Sequence, residues 1–246
     1  CLISKEKSSQ IDQICTLGSP MTRIFAHRGA SKKFKENTLE AFSYASGIGA
    51  QWIELDVWLS KDGVLTVHHD EKLKNGKHVS SNVFSDFPSD VPSLQDVLDS
   101  TRGIGINIEI KTRDNLSLDT WTGHLVDHLS ATLAREGTSR EFLISSFNYK
   151  ALLHFKKRNP AIPVGLLIWE FDGDPHSLLA KVVGAGFQSI HPADSFVDQA
   201  FIEVFHSNNI DVHVWTVNEE SRIKELLDIG VDGIFTDVPE IALSLV

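Results

Sequence analysis

His27, Arg28, Glu54, Asp56, His69, Glu109 and Lys111 are the residues of this chain whose types and spacing point to chemistry. Glu54 and Asp56 stand in Ile53-Glu54-Leu55-Asp56-Val57, and Glu109 and Lys111 in Asn107-Ile108-Glu109-Ile110-Lys111. In both runs charged residues alternate with apolar ones at strand period, so the charged side chains share one face. A strand in a buried parallel sheet normally reads apolar on both faces. Charge on the inner face of such a strand is costly unless it is paired or bound to a metal. Three inward carboxylates repel one another unless a cation joins them. Ligation by oxygen alone suits Mg²⁺ or Ca²⁺ better than zinc. The plainer alternative is an ion-pair network with Arg28 and Lys111, but two cations do not balance three carboxylates. Either histidine alone would read as a hydrogen-bonded core residue. Together beside carboxylates, His27 and His69 can act as general base and general acid near neutral pH. Arg28 and Lys111 suit a phosphate anion.

The elements that must position these groups are short apolar runs alternating with helical patterns. Strands are predicted over 23–27, 52–58, 106–111, 142–147, 163–168, 188–191, 212–217 and 233–236. Helices are predicted over 38–47, 119–135, 150–158, 177–183, 198–206 and 221–228. Such alternation implies parallel strands with right-handed crossovers. Eight units in 246 residues fit an α/β fold of the (β/α)8 TIM-barrel type, with a doubly wound open sheet as the rival. In a barrel, functional groups gather at the carboxyl ends of the strands.

After the second strand, Asp62-Gly63 signals a two-residue β-hairpin turn, so 64–70 should fold back antiparallel. With those two residues as the loop, Lys61 faces Val64 and His69 falls opposite Asp56. A one-residue slip would put His68 there instead. Residues 71–105 read as a short insertion on the active face, with a helix over 93–98.

Other residues carry weaker signals. Asn37-Thr38-Leu39-Glu40 fits a capping box, which predicts Asn37 as a helix cap and leaves Glu36 free to face the site. His124, Asp127 and His128 share one helical turn and read as a solvated face. Trp215, inward on the seventh predicted strand, is either barrel packing or a pocket wall.

A formal charge of −10 argues against nucleic acid as a partner, though not against a local cationic pocket for one phosphate. No apolar run is long enough to span a bilayer, so stable membrane insertion is not expected. Cys1 and Cys15 are the only cysteines, which removes a disulfide framework, a thiolate zinc site and a cysteine nucleophile from residues 20–246. Met21, the single methionine, directly precedes the first strand. Residues 1–20 therefore read as an N-terminal extension upstream of a natural start, and 21–246 as the barrel. No signal-peptide apolar region is present, and a cytoplasmic location is expected. A lipoprotein or exported form is the alternative if Cys1 is a processed N-terminus. The oligomeric state is left open.

Several motifs carry a resemblance. They are His27-Arg28-Gly29-Ala30, Glu36-Asn37-Thr38, Glu54-Leu55-Asp56-Val57, His69-Asp70, Glu109-Ile110-Lys111, Ser145-Ser146-Phe147, Trp215-Thr216-Val217-Asn218 and the run from Gly230 to Asp237. In this order over 23–240 the chain resembles the glycerophosphodiester phosphodiesterase family. The resemblance implies a TIM barrel that uses one divalent cation to hydrolyse a small-molecule glycerophosphodiester to glycerol 3-phosphate and an alcohol. It implies acid–base roles for His27 and His69, metal ligation by Glu54, Asp56 and Glu109, and substrate binding by Arg28 and Lys111, with Trp215 as a further candidate. The segment between His69 and Glu109 is short for this family, which leaves the headgroup pocket undefined. The rivals are a lysophospholipase D or sphingomyelinase D-like enzyme acting on lipids, and a barrel that only binds a phosphate ligand. A lipid enzyme should show an apolar rim, for which Leu73, Val79, Val83, Phe84 and Phe87 are the candidates.

Overall fold

A computed structural model describes residues 22–137, 140–171 and 173–246. The predicted extension over 1–20, with Cys1 and Cys15, and the start at Met21 lie outside the described residues. Strand β1 (Arg23–Ala26) is followed by helix α1 (Leu39–Gly47), β2 (Trp52–Leu59) and β3 (Leu65–Val67). Helix α2 (Leu94–Ser100) then leads to β4 (Gly105–Ile110), α3 (Thr120–Glu136), β5 (Phe142–Ser146) and α4 (Tyr149–Arg158). The chain continues through β6 (Val164–Ile168), α5 (Pro175–Gly184), β7 (Ser189–Pro192), α6 (Gln199–His206) and β8 (Asp211–Val214). It ends with α7 (Glu220–Asp228), β9 (Gly233–Thr236) and α8 (Pro239–Leu243).

Every strand except β3 pairs in parallel, and β1 pairs with both β2 and β9, which closes a (β/α)8 barrel. The period-2 pattern explains its two compartments. Ile53, Leu55 and Val57 of β2 and Ile106, Ile108 and Ile110 of β4 join one apolar layer with helix residues such as Phe42, Leu125 and Leu152. The alternate residues face inward. At the amino end they make a small apolar floor of Phe25, Trp52, Leu143 and Phe235. Each fully buried large apolar side chain contributes about 1.5–3 kcal/mol, so the outer layer holds the barrel closed and the interior is free to carry polar groups.

The helices start where side chains can bind free backbone N–H groups. Ser93 and Asp96 form a reciprocal capping box at α2, and Asp119, Asn148 and Asp198 cap α3, α4 and α6. Predicted and observed strands differ by up to three residues at an end. Helix α8 was not predicted; only five residues long, it leaves little periodicity to read.

The hairpin corrects one expectation. Val57 pairs with Val67 and Leu59 with Leu65, so the ladder continues through Ser60 and Val64. The loop is Lys61-Asp62-Gly63, three residues instead of two. Of these only Gly63 takes a positive φ, +82°, whereas a two-residue turn of the predicted kind needs positive φ at both loop positions. Ser60 Oγ accepts the Val64 N–H and donates to Asp62, which favours the longer loop. By this register His68, not His69, stands opposite Asp56, and the His68 N–H donates to the Asp56 carbonyl at 3.1 Å.

Residues 68–93 then pack beside the β2–β3 hairpin, where the Lys61 N–H donates to the Asn82 carbonyl and the Val67 N–H to the Pro92 carbonyl, and α2 returns to the outer layer. Leu73 and Val79 from this segment are buried against Trp58. They are not available as an apolar rim.

Candidate active site

Glu54 and Asp56 come from β2 and Glu109 from β4, in adjacent strands whose register sets Asp56 beside Glu109. One carboxylate oxygen from each lies within 4.8 Å of the others. That separation fits ligands on one ion, since two oxygens across a Ca²⁺ stand up to about 5 Å apart. Asp56 Oδ1 is buried without a hydrogen bond, an orphaned acceptor of the kind a cation would satisfy. The donor set is all oxygen. These three residues therefore could hold a divalent cation.

The electrostatics agree. Burial, then the neighbouring Asp56 and Glu109 charges, push the Glu54 carboxyl well above its ordinary range. Burial and the adjacent Asp56 push Glu109 up to about 7 against the pull of Lys111. Burial would raise Asp56 too, but Lys111, Arg28 and His69 outweigh it and hold that carboxyl well below its usual value. Three carboxylates this close are not all comfortable as anions on protein charge alone.

Two cations reach into the cluster. Arg28 Nε lies 3.3 Å from Asp56 Oδ2, and its Nη1 donates to Glu36 at 2.8 Å. Lys111 Nζ lies 2.9 Å from Glu109 Oε1 and 3.3 Å from Asp56 Oδ1. Both separations from Asp56 are charge contacts without hydrogen-bond alignment. Both cations keep their protons, because the surrounding carboxylates outweigh burial and raise them.

Backbone geometry sets Arg28. Its φ is +56°, and its N–H donates to Glu54 Oε2 at 2.8 Å. Gly29 follows at φ +83°, where a Cβ would stand 2.7 Å from Ala41. Glycine is thus required at 29 for α1 to close against the loop that presents His27 and Arg28.

Both histidines face one pocket of about 270 Å³, together with Glu54, Glu109 and Lys111. His27 Nδ1–H donates to Asp237 Oδ1 at 2.7 Å. His69 Nδ1–H donates to Asp70 at 2.8 Å, and burial lowers the pKa of its ring. His69 reaches the pocket although the strand register does not deliver it. Strand β3 ends at Val67, and Trp58 Nε1–H then holds the His69 carbonyl at 3.0 Å while the chain turns. The His68 ring instead donates to the Asp70 carbonyl.

The opposite wall is aromatic. Trp215 belongs to it, with its ring centroid 5.2 Å from Trp169 and 5.5 Å from Phe147. Trp215 combines the two readings: it lines the pocket and packs against the buried cluster of Phe25, Trp52, Leu143 and Phe235. Trp169, largely exposed, was not singled out in the sequence and had no motif to mark it.

Asn37 corrects a second expectation. The cap of α1 is Thr38, whose hydroxyl accepts the Ala41 N–H. Asn37 stands one residue earlier at φ +56°, and its Nδ2–H donates to Asp56 Oδ2 at 2.8 Å. Two adjacent residues both suited to capping hid the shift. Glu36 touches the site only through Arg28. Asp237 and Asn218 were missed as site residues; both lie in the quoted motifs, but just past strand ends, where strand period says nothing. The predicted solvated face on α3 is present: His128 bonds back to the His124 carbonyl, and Asp127 pairs with Arg158 of α4.

No helix among the described residues is long and apolar enough to cross a membrane. The model of the glycerophosphoryl diester phosphodiesterase family matches residues 27–85 and 74–241. A glycerophosphodiester phosphodiesterase of Bacillus altitudinis is 32% identical over 249 residues, covering 92% of this chain and 98% of the relative. One from Caldanaerobacter subterraneus is 30% identical over 246 residues, with the same coverage of each chain. The crystal structure of the Thermotoga maritima glycerophosphodiester phosphodiesterase matches with a TM-score of 0.77 at 28% identity, over 92% of this chain and 98% of that one. The matched stretches contain every residue of the pocket described above, and this chain belongs to the glycerophosphoryl diester phosphodiesterase family.

Proposed function

We propose that this protein hydrolyses glycerophosphodiesters to glycerol 3-phosphate and an alcohol, with a divalent cation, Mg²⁺ or Ca²⁺, on Glu54, Asp56 and Glu109. The observation that carries this reading is the convergence of Glu54, Glu109, His27, His69, Arg28 and Lys111 on one pocket, with the buried Asp56 carboxylate within 4.8 Å of the other two. When bound, the cation would neutralise charge on a non-bridging phosphate oxygen. Arg28 and Lys111 bind the phosphate and offset the charge that builds as the nucleophile arrives. One histidine takes the proton of the nucleophile as its oxygen bonds to phosphorus. The other gives a proton to the alcohol oxygen as its bond to phosphorus breaks. Water and the substrate's own glycerol 2-hydroxyl are both competent nucleophiles, the second through a cyclic phosphate. Trp215 lines the apolar side, against which carbon atoms of the substrate can lie.

Turnover of glycerophosphocholine beside a lysophospholipid, each with and without chelator, tests the reading. Cation-dependent release of glycerol 3-phosphate from the first is expected. Preference for the lysophospholipid would move the substrate class to lipids, and binding without turnover would leave a phosphate-binding barrel.

A further inference from the structure

The two histidines have acidic partners of very different quality. Asp237 follows β9 directly, and its side chain is 28% exposed, against 73% for Asp70. Asp237 Oδ1 accepts from His27 Nδ1–H at 2.7 Å and lies 2.9 Å from Ser31 Oγ. That hydroxyl is also 2.7 Å from the His27 carbonyl, and its single hydrogen serves one acceptor at a time. Asp237 Oδ2 accepts from Asn218 Nδ2–H at 2.7 Å. Asn218 is itself fixed at its other end, where Oδ1 accepts the Asp237 N–H at 2.8 Å and the Thr236 hydroxyl at 3.2 Å. An amide pinned at both ends cannot flip, so its N–H must face the carboxylate. The His27 N–H also donates to the Thr236 carbonyl at 2.9 Å, which sets the backbone of the histidine on the same strand end.

We propose that Asp237, clamped by Asn218 and Ser31, is a positioning residue that fixes His27 in the Nδ1–H tautomer and leaves Nε2 to exchange the proton, a role Asp70 does not have for His69. The proposal rests on His27 taking part in proton transfer as set out above. A carboxylate can only accept, so it selects the tautomer with hydrogen on the facing nitrogen. Donors on both oxygens and one ring nitrogen leave Asp237 no other rotamer that keeps its bonds. Asp70 is bathed in solvent, where water replaces it as an acceptor at little loss. Donation from His27, Asn218 and Ser31 outweighs burial and holds Asp237 at about 2, so it is ionised wherever the enzyme works.

The test compares Asp237→Asn, Asn218→Ala and Asp70→Asn with the parent, and takes His27→Ala as the reference. Asparagine at 237 can donate to Nδ1 and so favours the wrong tautomer. Its kcat should fall about 10²-fold or more, while KM, cation affinity by calorimetry and Tm stay near the parent. Nitrogen-15 NMR of the His27 ring should move from the Nδ1–H to the Nε2–H pattern. Asn218→Ala should lose about tenfold in kcat, and Asp70→Asn should stay within about threefold. Parent-like kcat with an unchanged His27 tautomer in Asp237→Asn overturns the proposal, as does an equal loss in Asp70→Asn. If Asp237→Asn does not fold, Asn218→Ala decides alone, and parent-like kcat there overturns it. A fully active His27→Ala would sink the acid–base reading, while the ring spectra would still report whether Asp237 sets the tautomer.

Discussion

The ammonium of Lys111 lies 3.3 Å from Asp56 Oδ1, a buried oxygen with no aligned hydrogen bond. The same ammonium is 2.9 Å from Glu109, so one cation spans two of the three carboxylates. That position gives the cluster counter-charge, and under the proposed function it would also bind phosphate; substitution separates the two. Lys111→Met should keep the fold and still bind Mg²⁺ or Ca²⁺, because the carboxylates remain. Its kcat/KM should fall about 10²-fold, the range for a donor that stabilises charge in the transition state. Inorganic phosphate and glycerol 3-phosphate should inhibit it less than the parent. Calorimetry of cation binding beside phosphate inhibition checks both. Parent-like inhibition by phosphate together with collapsed cation affinity would make Lys111 a structural counter-ion.

His68 and His69 give a second comparison. His69→Ala and His27→Ala should each lose about 10²–10⁴-fold in rate. His68→Ala should lose little, because its ring is tied to the Asp70 carbonyl and not to the carboxylate cluster. Initial rates on glycerophosphocholine check this. An inactive His68→Ala beside an active His69→Ala would assign the proton transfer to His68 and overturn the reading of His69.

The fold was legible because the chain repeats one physical signal eight times, an apolar run with its alternate residues turned to helices. Charge at the inward positions of β2 and β4 then marked Glu54, Asp56 and Glu109 in the sequence itself. What was not legible sits where periodicity stops. His69 enters the pocket from beyond the end of β3, carried by Trp58 and the turn, so its place there does not come from the register that predicted it. Asp237 and Asn218 follow strand ends. Asn37 depends on a left-handed backbone that a capping motif does not reveal.

Asn37 yields a third prediction because its side chain and its φ of +56° can be tested apart. Asn37→Gly keeps the backbone easy and removes only the two hydrogen bonds to Asp56, one from Nδ2–H to Oδ2 at 2.8 Å and one from the Asp56 N–H to Oδ1 at 3.4 Å. It should weaken cation binding and lower stability by about 1–3 kcal/mol, the usual cost of leaving a buried partner unmatched. Asn37→Ala should cost about 1–2 kcal/mol more, because a Cβ is strained in the left-handed region. Denaturant midpoints and cation calorimetry for the pair check this. Equal stability of Asn37→Gly and the parent would mean that Asp56 does not need Asn37.

The last prediction concerns pH and the cation. Glu109 is pushed up from an ordinary 4.5 to about 7, and Glu54 is raised in the same direction. In folded, cation-free protein Glu109 keeps its proton where the unfolded chain has lost it. Its contribution to cation-free stability is therefore full below pH 4.5, falls as pH rises, and is gone once pH passes about 7. A bound cation favours the ionised carboxylates and reverses this trend. Buried His191 and His213, both held low by burial, work the other way, since folded protein gains stability as pH rises and the unfolded histidines lose their protons. They lie away from the carboxylates and cancel when protein with and without cation is compared at one pH. The informative quantity is thus the gap in Tm between protein in Ca²⁺ or Mg²⁺ and protein in chelator. That gap should widen steadily from pH 5 to pH 8, as cation binding no longer has to displace protons. Cation calorimetry near pH 6 in two buffers of different ionisation enthalpy should show proton release on binding. A gap that stays constant or narrows with pH, with no proton released, would mean that Glu54 and Glu109 are not the ligands.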